Sequence, residues 1–577
     1  MARRTALKNL RQESLIFKER AIVAGLLVAG AFLLLMVRLY NLQITNYSHY
    51  QTLSDDNRVR VLAVAPTRGL IVDRNGEILA DNQPNYQLSV TPSEVKDMDA
   101  LIAALGEIVT IEEHELERFH KAVRRKQSFQ QTPLVFNLSD QEVALFTVNQ
   151  HRFSGVEITA NSTRFYPQKD YFAHALGYVG RINELELTKL DSVDYENTSH
   201  IGKLGVENRY EEELQGEVGY KHVEINAQGR SLRVLKTQPP LAGMDIQLSL
   251  LAPLQAVAQE ALGDESGAVV ALDPKNGDVL AFVSQPTYDP NAFVNGIGQH
   301  AYAELRDDRQ RPLFNRALVG QYPPGSTIKP VVALAGLQYD KTWPEKTMYA
   351  GPFYRLPGKI RKYRDWKKEG HGMVDMNKAI AQSCDVYFYD LGNRLGIDAM
   401  HEFLSQFGLG KPTRLDTVGE ASGLMPSREW KRSARGEPWY PGETVITSIG
   451  QGYMLTTPLQ LAVMTAYVAN QGQAYQPRFV RAKRQAGEAE FQPLEPVALP
   501  AVTIRNERFW GTIQQAMVDV VHGPTGTARR VGRDAPYKIA GKTGTAQVFG
   551  IGQDEEYEED KLPKRLLDHA LFIAYAP

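Results

Sequence analysis

One cysteine, Cys384, is present in 577 residues, so neither an intrachain disulfide nor a cysteine-rich zinc framework can form. The chain also lacks an excess of either charge. Its 65 Lys and Arg stand against 67 Asp and Glu, a formal net charge of −2. A nucleic-acid binder ordinarily carries a basic excess, so that class is set aside. Long apolar runs are scarce: only Ala21 to Val37 approaches the length of a bilayer span, which excludes a polytopic membrane protein. With 43% hydrophobic and 23% charged residues the composition is ordinary globular. At about 150 residues per domain the length alone suggests roughly four domains.

The apolar run is flanked by charge on one side. Residues 1–20 carry Arg3, Arg4, Lys8, Arg11, Lys18 and Arg20 against Glu13 and Glu19. The positive-inside rule keeps such a segment cytoplasmic. The expectation is a cytoplasmic tail over 1–20 and an uncleaved single-pass anchor over 21–44, with Arg38 snorkelling to the interface beside Tyr40. A cleaved signal peptide is the rival, but Ala29-Gly30-Ala31 lies inside the apolar run rather than after it.

Beyond the anchor, residues 45–238 read as an irregular α+β pedestal. Tyr86 to Val90 alternates as a strand does, Asp73-Arg74-Asn75-Gly76 reads as a tight turn, and Gln141–Val148 and Ile182–Leu190 read as helices. From residue 239 onward the pattern changes. Leu250–Leu262 is an amphipathic helix, Ser266–Asp273 a buried strand, Pro274–Gly277 a turn and Val279–Ser284 a returning strand. Helices are expected over Lys378–Leu395, Ala399–Phe407 and Pro458–Asn470. The fold class is therefore α+β, a sheet covered by helices.

Three short motifs carry chemistry. In Tyr322-Pro-Pro-Gly-Ser326-Thr-Ile-Lys329 a turn precedes an apolar helical run, so Ser326 falls at a helix start with Lys329 on the same face. A lysine with a lowered pKa can take the proton of an otherwise poor serine nucleophile, and helix-start N–H groups can hold an oxyanion. Alone, the Ser-x-x-Lys spacing is weak; Ser93-Glu-Val-Lys96 repeats it without supporting context. Ser383-Cys384-Asp385 offers a second hydroxyl that could relay a proton; its plainer reading is a polar helix start. Lys542-Thr543-Gly544-Thr545 reads as a strand. There Gly544 leaves room for a substrate backbone, while Lys542 and the threonines suit a carboxylate. Gly526-Thr527-Ala528 is a partial decoy of it.

In this order the three motifs are the signature set of penicillin-binding proteins and serine β-lactamases. The chain resembles a class B penicillin-binding protein of the elongation type. Arg68-Gly69, Asp73 to Gly76, Gly202, Gly205, Glu207 and Ala227-Gln-Gly-Arg230 resemble pedestal motifs of that family. Ala271 to Pro274, Trp366 with Gly370-His-Gly372, Gly450-Gln-Gly452 and Thr457 to Leu461 resemble stretches of its transpeptidase domain, here 239–577. The family normally continues past the strand His569–Pro577, so the resemblance implies a C-terminally truncated domain.

The resemblance implies cross-linking of peptidoglycan stem peptides through an acyl-enzyme on Ser326. Lys329 would be the base, Ser383 the proton relay, Asp385 a residue lining the site, and Lys542, Thr543, Gly544 and Thr545 the carboxylate-binding strand. β-Lactams would acylate Ser326, and no cofactor is required. An incidental zinc site on Asp365, His371 and Cys384 is the one metal alternative. Implied partners are a SEDS-family glycosyltransferase and a periplasmic elongation scaffold, with the catalytic domain outside the bacterial inner membrane. Two other function classes compete. A β-lactamase-like hydrolase would need a deacylating Glu-x-x-x-Asn, absent between Ser383 and Lys542. A β-lactam sensor or scaffold would need a signalling domain larger than a 20-residue tail.

Overall fold

The computed structural model describes residues 10–47, 59–125, 131–190, 195, 198–225, 231–548, 563 and 566–576. The pedestal stretch Ala227–Arg230 and the acidic stretch Asp554–Asp560 lie outside them. The described residues fall into two compact units.

The first unit holds helix α1, Leu10–Tyr40, which runs on through a wider turn over Asn41–Thr45. Its side chains from Ile22 to Val37 are exposed along the whole apolar run. At 1.5 Å per residue, α1 reaches about 45 Å, more than a bilayer's hydrocarbon thickness. Among the described residues it is the one helix long and apolar enough to cross a membrane. The unit also holds a three-stranded antiparallel sheet of Val59–Val64, Gly219–Ile225 and Ser231–Gln238.

The second unit contains the rest. The 13-residue strand Ile78–Val90 pairs antiparallel with Val156–Phe165 and with Thr132–Leu138. The turn before it is tight, as expected: Gly76 has φ +90°, and Asp73 Oδ1 accepts from the Asn75 and Glu77 N–H groups. Helix Asp140–Asn149 is closed by a capping box between Ser139 and Glu142. The second expected pedestal helix shrinks to Glu184–Leu187.

Arg68 and Glu207 of the pedestal motifs meet in one buried knot. Glu207 Oε1 accepts from Arg164 Nε at 2.6 Å and Oε2 from Arg68 Nε at 2.9 Å, while Arg68 also reaches Glu211 at 2.7 Å. A side chain at Gly202 would collide with the Glu207 carbonyl, 2.0 Å from an added Cβ. The glycine is therefore required by the packing of the knot.

In the catalytic half, β1 (Gly267–Leu272) and β2 (Val279–Gln285) form the expected hairpin. β1 is half-buried throughout rather than buried, because β2 is its only strand partner among the described residues. Helix α2, Lys329–Gln338, is the centre of the core: Lys329 to Leu337 are all buried. Pro330 sits in its first turn, where its missing N–H costs nothing. Each of Val331, Val332, Leu334 and Leu337 contributes about 2 kcal/mol by burial, which pins the start of α2 in place.

The helix expected over 378–395 is two helices. α3 covers Met376–Ala381 and α4 Asp385–Leu395, and the chain breaks between them because Ser383 takes φ +56°. Helix α5, Pro458–Ala469, starts with a capping box of Thr457 and Gln460. Helix α6, Arg508–His522, packs on α3 and on strand β3, Ala540–Ala546. β3 pairs antiparallel with β4, His569–Tyr575, with Lys542 opposite Ile573.

Candidate active site

The site forms where three pieces of chain are forced close by missing side chains. Ser326 lies in a single 3-10 turn, Gly325–Ile328, that leads into α2. In 3-10 geometry side chains three apart eclipse, so Ser326 and Lys329 share a face. The Lys329 N–H donates to the Ser326 carbonyl. Ser326 itself is half-buried, and Lys329 is fully buried.

Glycines clamp this turn. Gly325 has φ +53°, and a Cβ there would lie 2.5 Å from the Thr545 carbonyl. A Cβ at Gly450 would lie 2.1 Å from the Gly325 carbonyl, and the Gly325 N–H donates to the Gly450 carbonyl at 2.9 Å. A Cβ at Gly544 would lie 2.7 Å from Thr327 Cγ2. The sequence reading assigned Gly544 to room for a substrate backbone. The packing shows that the protein's own serine turn already uses that room. Gln451 ties the same pieces together by donating to the Thr545 carbonyl at 2.9 Å.

The break between α3 and α4 aims Ser383 inward. Lys329 Nζ donates to the Ser383 carbonyl at 2.9 Å, to Ser383 Oγ at 3.3 Å and to Asp385 Oδ1 at 2.7 Å. Lys542 Nζ donates to the same Oγ at 2.8 Å and to the Thr543 carbonyl at 2.9 Å. A hydroxyl oxygen has two lone pairs. With two amines occupying them, the Ser383 proton is left to point elsewhere. Burial, then the neighbouring Lys329 charge, push the Lys542 amine well below its usual pKa, and Asp385 opposes them.

Asp385 is met by a donor on each side. Its Oδ1 takes Lys329, and its Oδ2 accepts the Trp366 N–H at 3.3 Å. Both oxygens thus face donors. An amide would turn an NH₂ against one of them, whereas a carboxylate accepts on both sides.

Sequence reading missed Trp366 as a site residue, and Thr527 as more than a decoy. The Trp366 indole N–H donates to the Gln382 and Ser383 carbonyls, both at 3.2 Å, while the ring stays 60% exposed. Thr527 Oγ1 lies 2.7 Å from Thr543 Oγ1, which places Gly526–Ala528 on the rim of the site. A pattern of residue types one strand away carries no sign of this. Ser93, by contrast, lies exposed in a short pedestal turn, Pro92–Glu94.

Asp365, His371 and Cys384 also come together. Their ligand atoms lie within 4.8 Å of one another, all buried. Each already has protein partners. His371 Nε2 is 3.1 Å from Asp365 Oδ1, and Asp365 Oδ2 accepts from the Val386 N–H at 3.1 Å and from Cys384 Sγ at 3.4 Å. Burial and the Asp365 charge push the Cys384 thiol up to about 12. Cys384 caps α4, its sulfur accepting from the Tyr387 N–H.

The sequence matches the family described as "Penicillin binding protein transpeptidase domain" over residues 267–577 and that described as "Penicillin-binding Protein dimerisation domain" over 63–248. It is 43% identical to the protein named Peptidoglycan D,D-transpeptidase MrdA of Acinetobacter baumannii over 99% of this chain and 84% of that one. It is 40% identical to the Escherichia coli protein of that name over 100% and 92%. Among solved structures, PBP2 of Pseudomonas aeruginosa in complex with WCK 5153 matches with a TM-score of 0.68 at 42% identity, over 90% of this chain and 89% of that one. PBP2 in its complex with MreC from Helicobacter pylori matches with a TM-score of 0.75 at 30% identity, over 90% and 92%.

Proposed function

Because the chain belongs to the class B penicillin-binding proteins of the elongation type and is a peptidoglycan D,D-transpeptidase, we propose that Ser326 is the residue acylated in each turnover. Lys329 takes the hydroxyl proton as Ser326 Oγ bonds to the carbonyl carbon of the penultimate D-Ala. The N–H groups of Ser326 and Thr545 hold the oxyanion. Lys329 passes that proton to Ser383 as Ser383 gives its own to the amine of the departing D-Ala, and Lys542, Thr543 and Thr545 hold the terminal carboxylate. An amine on a second stem peptide then attacks the ester, forms the cross-link and returns the proton to Ser326. Gly544 keeps the carboxylate-binding strand against the serine turn, and Asp385 orients Lys329.

The observation that carries this reading is the convergence of Lys329 and Lys542 on one hydroxyl, Ser383 Oγ, beside the turn that holds Ser326. The test is labelling with fluorescent penicillin. Wild type and Ser93→Ala give a stable adduct and Ser326→Ala gives none. Equal labelling of Ser326→Ala overturns the assignment, and rapid drug turnover favours a hydrolase.

Helix α1 with its basic flank supports a place in the bacterial inner membrane with the catalytic half in the periplasm. The Helicobacter relative's complex with MreC supports a periplasmic elongation scaffold as a partner. A similar structure described as a peptidoglycan synthase complex coordinating polymerization and crosslinking supports a polymerase as another, and the SEDS family is what the sequence resemblance adds.

A second reading concerns Asp365, His371 and Cys384, whose oxygen, nitrogen and sulfur donors suit Zn²⁺. The ion would replace the thiol proton and brace the start of α4. Stoichiometric zinc in the purified protein that is lost in Cys384→Ser supports this; equal zinc content in both removes it.

A further inference from the structure

The stretch from Gly351 to Gly370 has a charge unlike the rest of the chain. It carries seven Lys and Arg, with Asp365 and Glu369 as its only acids, in a protein whose net charge is −2. Asp365 is buried and engaged with His371, so the exposed surface of this stretch is strongly cationic. Strands Phe353–Tyr354 and Tyr363–Arg364 pair antiparallel, with Phe353 opposite Arg364. They hold out a loop on which Arg355, Lys359, Arg361 and Lys362 are all exposed.

Aromatic rings array these cations. Arg355 and Lys362 lie 4.9 and 5.2 Å from the Phe353 ring centroid, and Arg361 lies 5.5 Å from that of Tyr363. The base of the hairpin is anchored on the site. Tyr389 of α4 donates to the Arg364 carbonyl at 3.2 Å, and the Asp365 N–H donates to the Pro352 carbonyl at 3.0 Å. Two residues past the hairpin, Trp366 bonds to Asp385 and to the Ser383 carbonyl. The exposed Lys367 and Lys368 follow it directly. The cationic strip therefore runs up to the residues that line the reacting centre.

The steps assigned to Ser326 and its neighbours use none of these cations, and a terminal D-Ala-D-Ala has one carboxylate, already assigned to Lys542. Stem peptides carry further free carboxylates along their length. We propose that the basic hairpin 353–364, continued by Lys367 and Lys368, is the docking surface for these carboxylate-bearing stem peptides of the peptidoglycan strand. This deepens the transpeptidase reading and rests on it. Electrostatic attraction of a polyanionic strand raises its local concentration at the mouth of the site and falls with ionic strength. A small β-lactam has no such length of chain and gains nothing from the strip. The rival surface is anionic lipid, since Ile360, 92% exposed at the hairpin's tip, could insert into a bilayer. Continuity of the strip with Trp366 and Ser383 favours the peptide.

The full-length protein in detergent tests this, with the variant Arg355→Gln/Lys359→Gln/Arg361→Gln/Lys362→Gln. Three probes are compared: soluble uncross-linked peptidoglycan strands, the same strands with their carboxylates converted to methylamides, and phosphatidylglycerol vesicles. The variant binds native strands about tenfold more weakly than wild type, with a shallower salt dependence, and its penicillin acylation rate stays within about twofold. Methylamide strands, which also lack the terminal carboxylate held by Lys542, bind wild type at least as weakly as native strands bind the variant. Unchanged strand binding by the variant overturns the proposal. So does loss of vesicle binding alone, which assigns the strip to lipid. If the variant loses penicillin labelling through misfolding, the wild-type protein decides: equal affinity for native and methylamide strands overturns the docking surface. Penicillin labelling of Ser326→Ala would overturn the nucleophile separately and leave the strand measurements standing.

Discussion

Two of the buried charge clusters among the described residues, one in the pedestal and one at the active site, are built to opposite rules. In the pedestal, two guanidiniums meet two carboxylates: Arg68 and Arg164 against Glu207 and Glu211. Burial opposes ionisation of Glu207, yet Arg164 and Arg68 hold its carboxyl below the usual range. Burial likewise works against the Arg68 guanidinium, and Glu207 and Glu211 hold it above its ordinary value. At the active site, two lysine amines, Lys329 and Lys542, have a single carboxylate, Asp385, near them. Burial and a like charge push Lys542 down. The balanced knot holds the pedestal together. The unbalanced one disfavours a second charge, so Lys542 is held down as an amine beside the Lys329–Asp385 pair, poised to take up charge when a carboxylate arrives.

Removing one member from each knot should therefore damage different things. Lys329→Met keeps the side-chain volume and removes the base. Penicillin acylation should fall by about 10³-fold, within the range of general-base contributions, a larger effect than the stability lost when Asp385 keeps only the Trp366 N–H as a partner. Stopped-flow labelling beside calorimetry reads both, and an acylation rate within tenfold of wild type would break the contrast. Glu207→Gln should do the reverse. It leaves Arg68 and Arg164 buried against a neutral partner, at a cost of about 3–5 kcal/mol in stability. Penicillin labelling at a temperature where the variant stays folded should be within about twofold of wild type. An equal loss of acylation would show that the pedestal knot supports catalysis and not only folding.

The smallest effect separates the knots by pH. An amine whose folded-state pKa lies below its unfolded value takes up a proton on unfolding. Lys542 therefore opposes folding below its ordinary value of 10.5, and the opposition fades as pH rises toward it. Between pH 7 and pH 9.5 wild type should gain on Lys542→Met in denaturation midpoint. An identical pH slope in both would mean that Lys542 is not held neutral by its surroundings. Glu207, whose carboxyl is held low, gives no slope on the alkaline side.

Local pattern was enough for much of the architecture. The uncharged run between Ala21 and Val37 reads as a membrane-compatible helix; alternation marked Tyr86–Val90, the end of the strand Ile78–Val90, and Val279–Ser284 read as the strand that proves to be Val279–Gln285. Ser326, Lys329, Ser383 and Lys542 were legible because their order along the chain is rare even though each motif alone is common. Local pattern failed at Ser383. Residues 378–395 have helical periodicity throughout, yet Ser383 takes a positive φ because Lys329 and Lys542 bind its carbonyl and hydroxyl from distant segments. Those bonds do not exist in the isolated segment, so propensity could not register the break. Trp366 and Thr527 were missed for the same reason: their partners, Asp385 and Thr543, are 19 and 16 residues away in sequence.

The chemistry of the site, a serine with two lysines and a second hydroxyl, was set by residue type and order, because those side chains have the same reactivity wherever the fold puts them. The environment of that chemistry was decided by tertiary structure alone. Burial and the proximity of two cations, which lower the Lys542 amine, belong to no segment. Nor does the choice of carboxylate over amide at Asp385, which depends on an N–H from Trp366. The three glycines that press Ser326 against the Lys542 strand likewise acquire their meaning only when β3, the serine turn and Gly450 lie so close that an added Cβ at any of them would clash.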